Sequence, residues 1–162
     1  MTVAQRAVFR ILLAATRTML PMPALLTAHL AAVCLYAGFQ WTVQVVVYPQ
    51  FAGVDTAGFA AYERAHQRRI SYLVGPLFAA LLITSTAMVV APPAGVDRAA
   101  AVVSAGLVGV ILVLTGAFAV PLHRRLDVGW DAQAHRSLMR VDALRVAAAT
   151  VNVMLVVVLA AR

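Results

Sequence analysis

Residues 24–48 read ALLTAHLAAVCLYAGFQWTVQVVVY, a run of 25 residues without one Asp, Glu, Lys or Arg. About 20 apolar residues, each rising 1.5 Å along a helix, cross a bilayer core of about 30 Å. This run is long enough to span with tilt in reserve. Three more apolar runs follow, at about 70–91, 99–120 and 141–161. The whole chain of 162 residues is 63% hydrophobic and only 12% charged, whereas a soluble domain of this length carries about twice that share of charge. The reading is an all-α polytopic membrane protein. Four transmembrane helices (spans about 24–48, 70–91, 99–120 and 141–161) form an antiparallel bundle over residues 23–162.

The segments between the runs set the topology. Residues 92–98, Pro-Pro-Ala-Gly-Val-Asp-Arg, are too few for anything but a turn, which makes spans two and three neighbours. Four spans then put the two long connections, 49–69 and 121–140, on one side of the membrane. Pro49 is expected to end the first span and Pro76 to kink the second. The second helix is expected to begin outside the bilayer, with Asp55 or Thr56 as its cap. The halves look alike: Pro49, Tyr62-Glu63, His66 and Arg69 parallel Pro121, Trp130-Asp131, His135 and Arg140. The bundle therefore reads as two similar helical hairpins. Ahead of it, residues 1–22 carry Arg6, Arg10 and Arg17 on one helical face, the pattern of an amphipathic helix lying in the membrane interface, and Pro21 and Pro23 close it.

The net charge of +7 comes from 13 basic residues, every one an arginine. Arginines at the ends of apolar runs face lipid headgroups and set topology, so the charge argues for a lipid bilayer as partner and against nucleic acid. The all-Arg usage fits a GC-rich bacterial genome and hence a multi-pass protein of the bacterial plasma (inner) membrane. Eight arginines lie on or next to the long connections and five on the other side. By the positive-inside rule, this puts loops 49–69 and 121–140 in the cytoplasm; the basic N-terminal stretch points the other way. The one cysteine, Cys34, sits in an apolar run and has no partner for an internal disulfide.

Polar and aromatic side chains concentrate beside the long connections. Trp41, Gln44 and Tyr48 are spaced i, i+3, i+7, on one helical face, and with Tyr62 and Arg69 they form a candidate substrate-binding set. Glu63 and His66 are i, i+3, and Asp131 and His135 are i, i+4; each spacing puts an acid and an imidazole on one face. His123 lies just past the third span. Glu63, His66, His123, Asp131 and His135 are thus candidate metal ligands, in which imidazole with carboxylate suits a single transition metal or a haem iron. Without metal, His66 or His135 would be the catalytic proton-transfer residue. The competing reading is an ionic network that merely holds this end of the bundle together. A di-iron carboxylate centre is excluded, since it needs several Glu and the chain has one. His29, near the start of span one, reads as a local structural residue.

The pattern Trp41-x-x-Gln44, Tyr48-Pro49-x-Phe51, Phe59-x-x-Tyr62-Glu63-x-x-His66, Gly75-Pro76, then Val120-Pro121-x-His123 and Gly129-Trp130-Asp131-x-x-x-His135 resembles an uncharacterised family of small bacterial four-helix integral membrane proteins. It covers roughly residues 28–155, and implies the fold but no activity. The chain departs from that family at Asp142, where Asn is expected. More distantly the architecture is similar to the anthrone-oxygenase-like membrane family, which implies oxidation of aromatic polyketides. Two function classes follow. The first is an accessory or structural subunit of a membrane assembly, packed against another membrane protein or a second copy of itself. The alternative is a membrane-bound oxidoreductase or oxygenase-like enzyme acting on a lipophilic substrate, with a His/carboxylate site at one membrane face.

Overall fold

The computed structural model describes residues 23–162; the interfacial helix expected over 1–22 lies outside the described residues. Four helices are long and apolar enough to cross a membrane: α1 (Ala24–Gly53), α2 (Phe59–Val90), α3 (Arg98–Leu126) and α4 (Ala132–Ala160). No strand occurs among the described residues. At 29 to 32 residues each, the helices are about 45 Å long, well over the thickness of a hydrocarbon core. Their ends therefore project from it, and α2 and α4 begin ahead of the apolar runs that the sequence marks. Asp97 caps α3 through the amide of Ala99, and Asp131 caps α4 through the amides of Gln133 and Ala134, as short acceptor side chains do at helix starts. Gly95 turns the chain between α2 and α3 at φ +83°, a conformation that suits glycine.

Pro49 does not end the first helix. The helical path continues through it to Gly53 because the backbone widens into a π turn over Val43–Val47 just before the proline. The Tyr48 amide reaches back five residues to the Val43 carbonyl. A proline inside an α-helix clashes with the carbonyl four residues back and leaves it unbonded; a wider turn relieves both. The same device recurs in α3, where the π turn Leu114–Ala119 precedes Pro121 and the Val120 amide bonds to Thr115. Each π turn ends two residues before its proline, so the resemblance between the halves extends to backbone geometry.

The π turn also resets which side chains face inward. Residues five apart on an α-helix point about 140° away from each other, yet Val43 and Tyr48 are both buried. Trp41, expected on the face of Tyr48, is instead 49% exposed, and its indole donates to Thr150 Oγ1 at 3.1 Å. Gln44 is half-buried.

The main core lies along the bundle, with Leu26, Tyr36, Leu81, Met88, Val108, Ile111 and Val156 at its centre. A second, smaller core closes one end around Tyr48, Phe51, Phe59, Leu126 and Leu138. That end, formed by the C-terminal parts of α1 and α3 and the N-terminal parts of α2 and α4, is the mouth. Arg64 donates there to the Asp127 carbonyl at 3.0 Å, and Phe59 meets Trp130 with ring centroids 5.0 Å apart, so both long connections lie at one end of the bundle. Two positions on α2 separate packing from lipid contact. Leu81 is 1% exposed and Ile83 is 69% exposed. Leu81→Ala is expected to cost about 2–5 kcal/mol, and Ile83→Ala to stay within about 0.5 kcal/mol, both read from denaturation in detergent. Equal losses at the two positions would contradict the inward placement of Leu81.

Candidate functional site at the mouth of the bundle

Three helices each send one polar side chain to a common line. Glu63 comes from the first turns of α2, His123 from α3 after the π turn, and Tyr48 from α1 after its own. Glu63 is fully buried. Its Oε1 accepts from His123 Nδ1 at 2.5 Å and from the Gln67 amide at 3.1 Å. The second imidazole nitrogen, His123 Nε2, lies 3.0 Å from the Tyr48 hydroxyl. With Glu63 ionised, its oxygens can only accept. Nδ1 of neutral His123 therefore carries the hydrogen, and Nε2 accepts from Tyr48. Gln67 ties the set to Asp127, donating to its Oδ1 at 2.6 Å. The acid fixes the tautomer of the imidazole, and the imidazole polarises a hydroxyl, the logic of an oriented general base.

The Tyr48–His123 pair opens onto a cleft of about 310 Å³ between α2 and α3. Phe39, Val43, Ile70 and Val74 supply apolar wall, and Gln67, Arg124 and Arg145 join the polar lining. A small, largely apolar recess with a few convergent polar groups is the usual form of a ligand site.

Deeper in the bundle, Arg145 and Asp142 of α4 form a buried ion pair at 3.1 Å. Gln40 bridges them: its amide donates to Asp142 Oδ1, and its carbonyl accepts from Arg145 at 3.1 Å. The Tyr36 hydroxyl lies 3.5 Å from the same guanidinium. Arg145 is thus no flanking arginine of the connection. Its side chain leaves α4 toward the N-terminal end, as helical side chains do, which directs it to the mouth. Far from the mouth, His29 of α1 lies 2.9 Å from both Thr84 of α2 and Ser104 of α3, and Ser104 donates to Asn152 of α4 at 2.7 Å. One side chain from each helix meets there, which supports a local structural role for His29.

The residues picked out in sequence part company around Phe51. Its buried ring has His66 on one side and His135 on another, at centroid distances of 5.0 and 6.2 Å. His66 stacks on His123 at 6.0 Å, and its Nε2 is buried without a hydrogen-bond partner among the described residues. His135 donates from Nε2 to the Tyr48 carbonyl at 2.8 Å, bracing the backbone at Pro49. Asp131 is engaged as the α4 cap and pairs with Arg125 at 2.8 Å. Among the described residues no three His, Cys, Asp or Glu are placed to hold a metal ion, so Glu63, His66, His123, Asp131 and His135 do not gather at one point. Of the substrate set, Tyr48 lines the cleft; Tyr62 and Arg69 lie along a shallow recess beside His66. Sequence reasoning did not pick out Gln67 and Arg145 as site residues. Arg145 was legible as the i+3 partner of Asp142, and Gln67 only as the neighbour of His66.

Two outcomes follow from these contacts. Arg145→Met strands a buried carboxylate and is expected to cost about 3–5 kcal/mol. Adding Asp142→Asn should recover part of that loss, and an additive double variant in detergent unfolding would contradict the pairing. Backbone amides of Ala134 and Gln133, then Arg125, hold the Asp131 carboxyl below the usual carboxylate range. Its folded pKa being the lower one, its contribution is present above the ordinary Asp range and is lost as pH falls through the depressed value. Wild-type melting temperature should therefore fall more steeply with acidification than that of Asp131→Asn, which keeps a capping side chain; parallel curves would exclude the effect.

Comparison with protein-family models, curated proteins and solved structures finds no match for this chain.

Proposed function

We propose that this protein is an integral membrane protein that admits a lipophilic, oxygen-bearing ligand into the cleft between α2 and α3 and exchanges a proton with it through Tyr48, His123 and Glu63. The observation that carries this is the hydrogen-bonded line Glu63–His123–Tyr48, built from three helices and ending on an apolar-walled recess. The line moves a proton without distortion. A ligand hydroxyl gives its proton to the Tyr48 oxygen as Tyr48 gives its own to His123 Nε2, and the imidazolium is held by the Glu63 carboxylate. The four spans are antiparallel, and the arginine-rich mouth faces the cytoplasm of a bacterial cell. This arrangement favours a ligand-binding, proton-exchanging site over a purely accessory subunit.

Native mass spectrometry of the detergent-solubilised chain tests the reading with two single-chain probes, palmitate and hexadecanol. At least one should bind. Val74→Trp, which fills the cleft, should abolish binding, and Ile83→Trp on the lipid-facing side should leave it unchanged. Absence of binding by either probe, or insensitivity to Val74→Trp, would return the protein to the accessory class.

A further inference from the structure

The cleft's charge is one-sided. Its lining includes Arg124 and Arg145 together with His123, Tyr48 and Gln67, and no Asp or Glu among the described residues lines it. Arg145 is 5% exposed. Its guanidinium has five N–H donors and makes three hydrogen bonds, to Asp142, Gln40 and Tyr36. Its buried Nε has no partner among the described residues. A guanidinium with donors in hand at the wall of an apolar recess calls for an oxygen acceptor, and one bearing charge binds most strongly. Arg124 stands exposed at the same cleft, where it adds a second cation.

We propose, building on the cleft as a ligand site, that its ligand is a single-chain amphiphile with an oxyacid head, a carboxylic acid or a phosphate monoester. The chain lies along Phe39, Ile70 and Val74. The head faces Tyr48, Arg124 and Arg145. A carboxylic acid arrives from the bilayer in its protonated form, because a neutral head enters hydrocarbon at far lower cost than an ion; a phosphate monoester arrives as its monoanion, which keeps one O–H. In the cleft the head's O–H bond breaks toward the Tyr48 oxygen, the Tyr48 proton passes to His123 Nε2, and the head remains as an anion between the two arginines. No electron changes hands.

The test compares palmitate, hexadecyl phosphate, hexadecanol and inorganic phosphate on the full chain by native mass spectrometry. At least one of the two acid amphiphiles should bind about tenfold or more tightly than hexadecanol, the gain expected of a charge-assisted hydrogen bond. Palmitate alone identifies a carboxylate site, hexadecyl phosphate alone a phosphate site, and both a general oxyacid site. Inorganic phosphate should not bind measurably. Arg124→Gln, at an exposed position, should cut the acid-to-alcohol ratio several-fold, and Arg124→Lys should restore most of it. Arg145→Gln should cut it further where that variant folds. Equal binding of alcohol and acids, with Val74→Trp still blocking, overturns the acid-head assignment and leaves the cleft reading intact. Binding by inorganic phosphate alone, or a ratio indifferent to Arg124→Gln, also overturns the assignment. Binding by no probe overturns both readings.

Discussion

Hydrocarbon offers no hydrogen-bond partners, so a polar side chain inside a membrane bundle must find its partner on another helix or on its own. That constraint orders this molecule. Among the described residues, the buried polar side chains other than Ser85 fall, with half-buried partners, into three tiers. His29, Thr84, Ser104 and Asn152 form the first. Tyr36, Gln40, Asp142 and Arg145 form the second. Tyr48, Glu63, Gln67, His123 and Asp127 form the third. Between lipid and helix there is no hydrophobic gain in association, because lipid tails are as apolar as leucine. The tiers and close side-chain packing therefore hold the helices in one register. The tiers differ in completeness. The first leaves no buried side-chain atom without a partner among the described residues. The other two leave Asp142 Oδ2, Arg145 Nε and Glu63 Oε2 unpaired, and these two flank the cleft.

The π turns give that difference a backbone cause. A widened turn before Pro49 brings Val43 and Tyr48 to one side of α1, and the matching turn before Pro121 precedes His123 on α3. Had both helices stayed regular, Tyr48 would follow Trp41 toward the same face, as the i+7 spacing implies, and Trp41 points outward. The donor–acceptor line through Glu63, His123 and Tyr48 thus depends on two local departures from α geometry, each anchored by a proline.

Much of the fold was legible from charge alone. Three runs empty of Asp, Glu, Lys and Arg, at 24–48, 70–91 and 99–120, and a shorter one from residue 146 gave four spans, and the short Pro-Pro-Ala-Gly turn fixed which two are neighbours. The mouth was legible as a region, because Tyr48, Glu63 and His123 lie at run ends. Its internal arrangement was not. Helical spacing places side chains on faces only while 3.6 residues make a turn, and nothing in Val43–Val47 announces a π turn except the proline two residues on. The pairing of Glu63 with His123 joins residues 60 apart, beyond any periodicity. His66 and His135 each pack against Phe51, an apolar residue that a search for chemistry passes over. Asp142 and Arg145 sat at the edge of an apolar run, where a flanking arginine reads as an interface residue; their bonds to Gln40 on α1 make them interior.

The first tier has a consequence for how the chain is assembled in the membrane. His29 on α1 needs Thr84 from the same hairpin and Ser104 from the next, and Ser104 needs Asn152 from α4. The second tier likewise joins α1 to α4. Until α4 inserts, Gln40 lacks Asp142 and Arg145, and Ser104 has His29 but lacks Asn152. The first three helices alone are thus a bundle with unsatisfied seams, and α4 closes them together. A chain interrupted before residue 132 would leave Gln40 without a partner on another helix, in a medium that offers none.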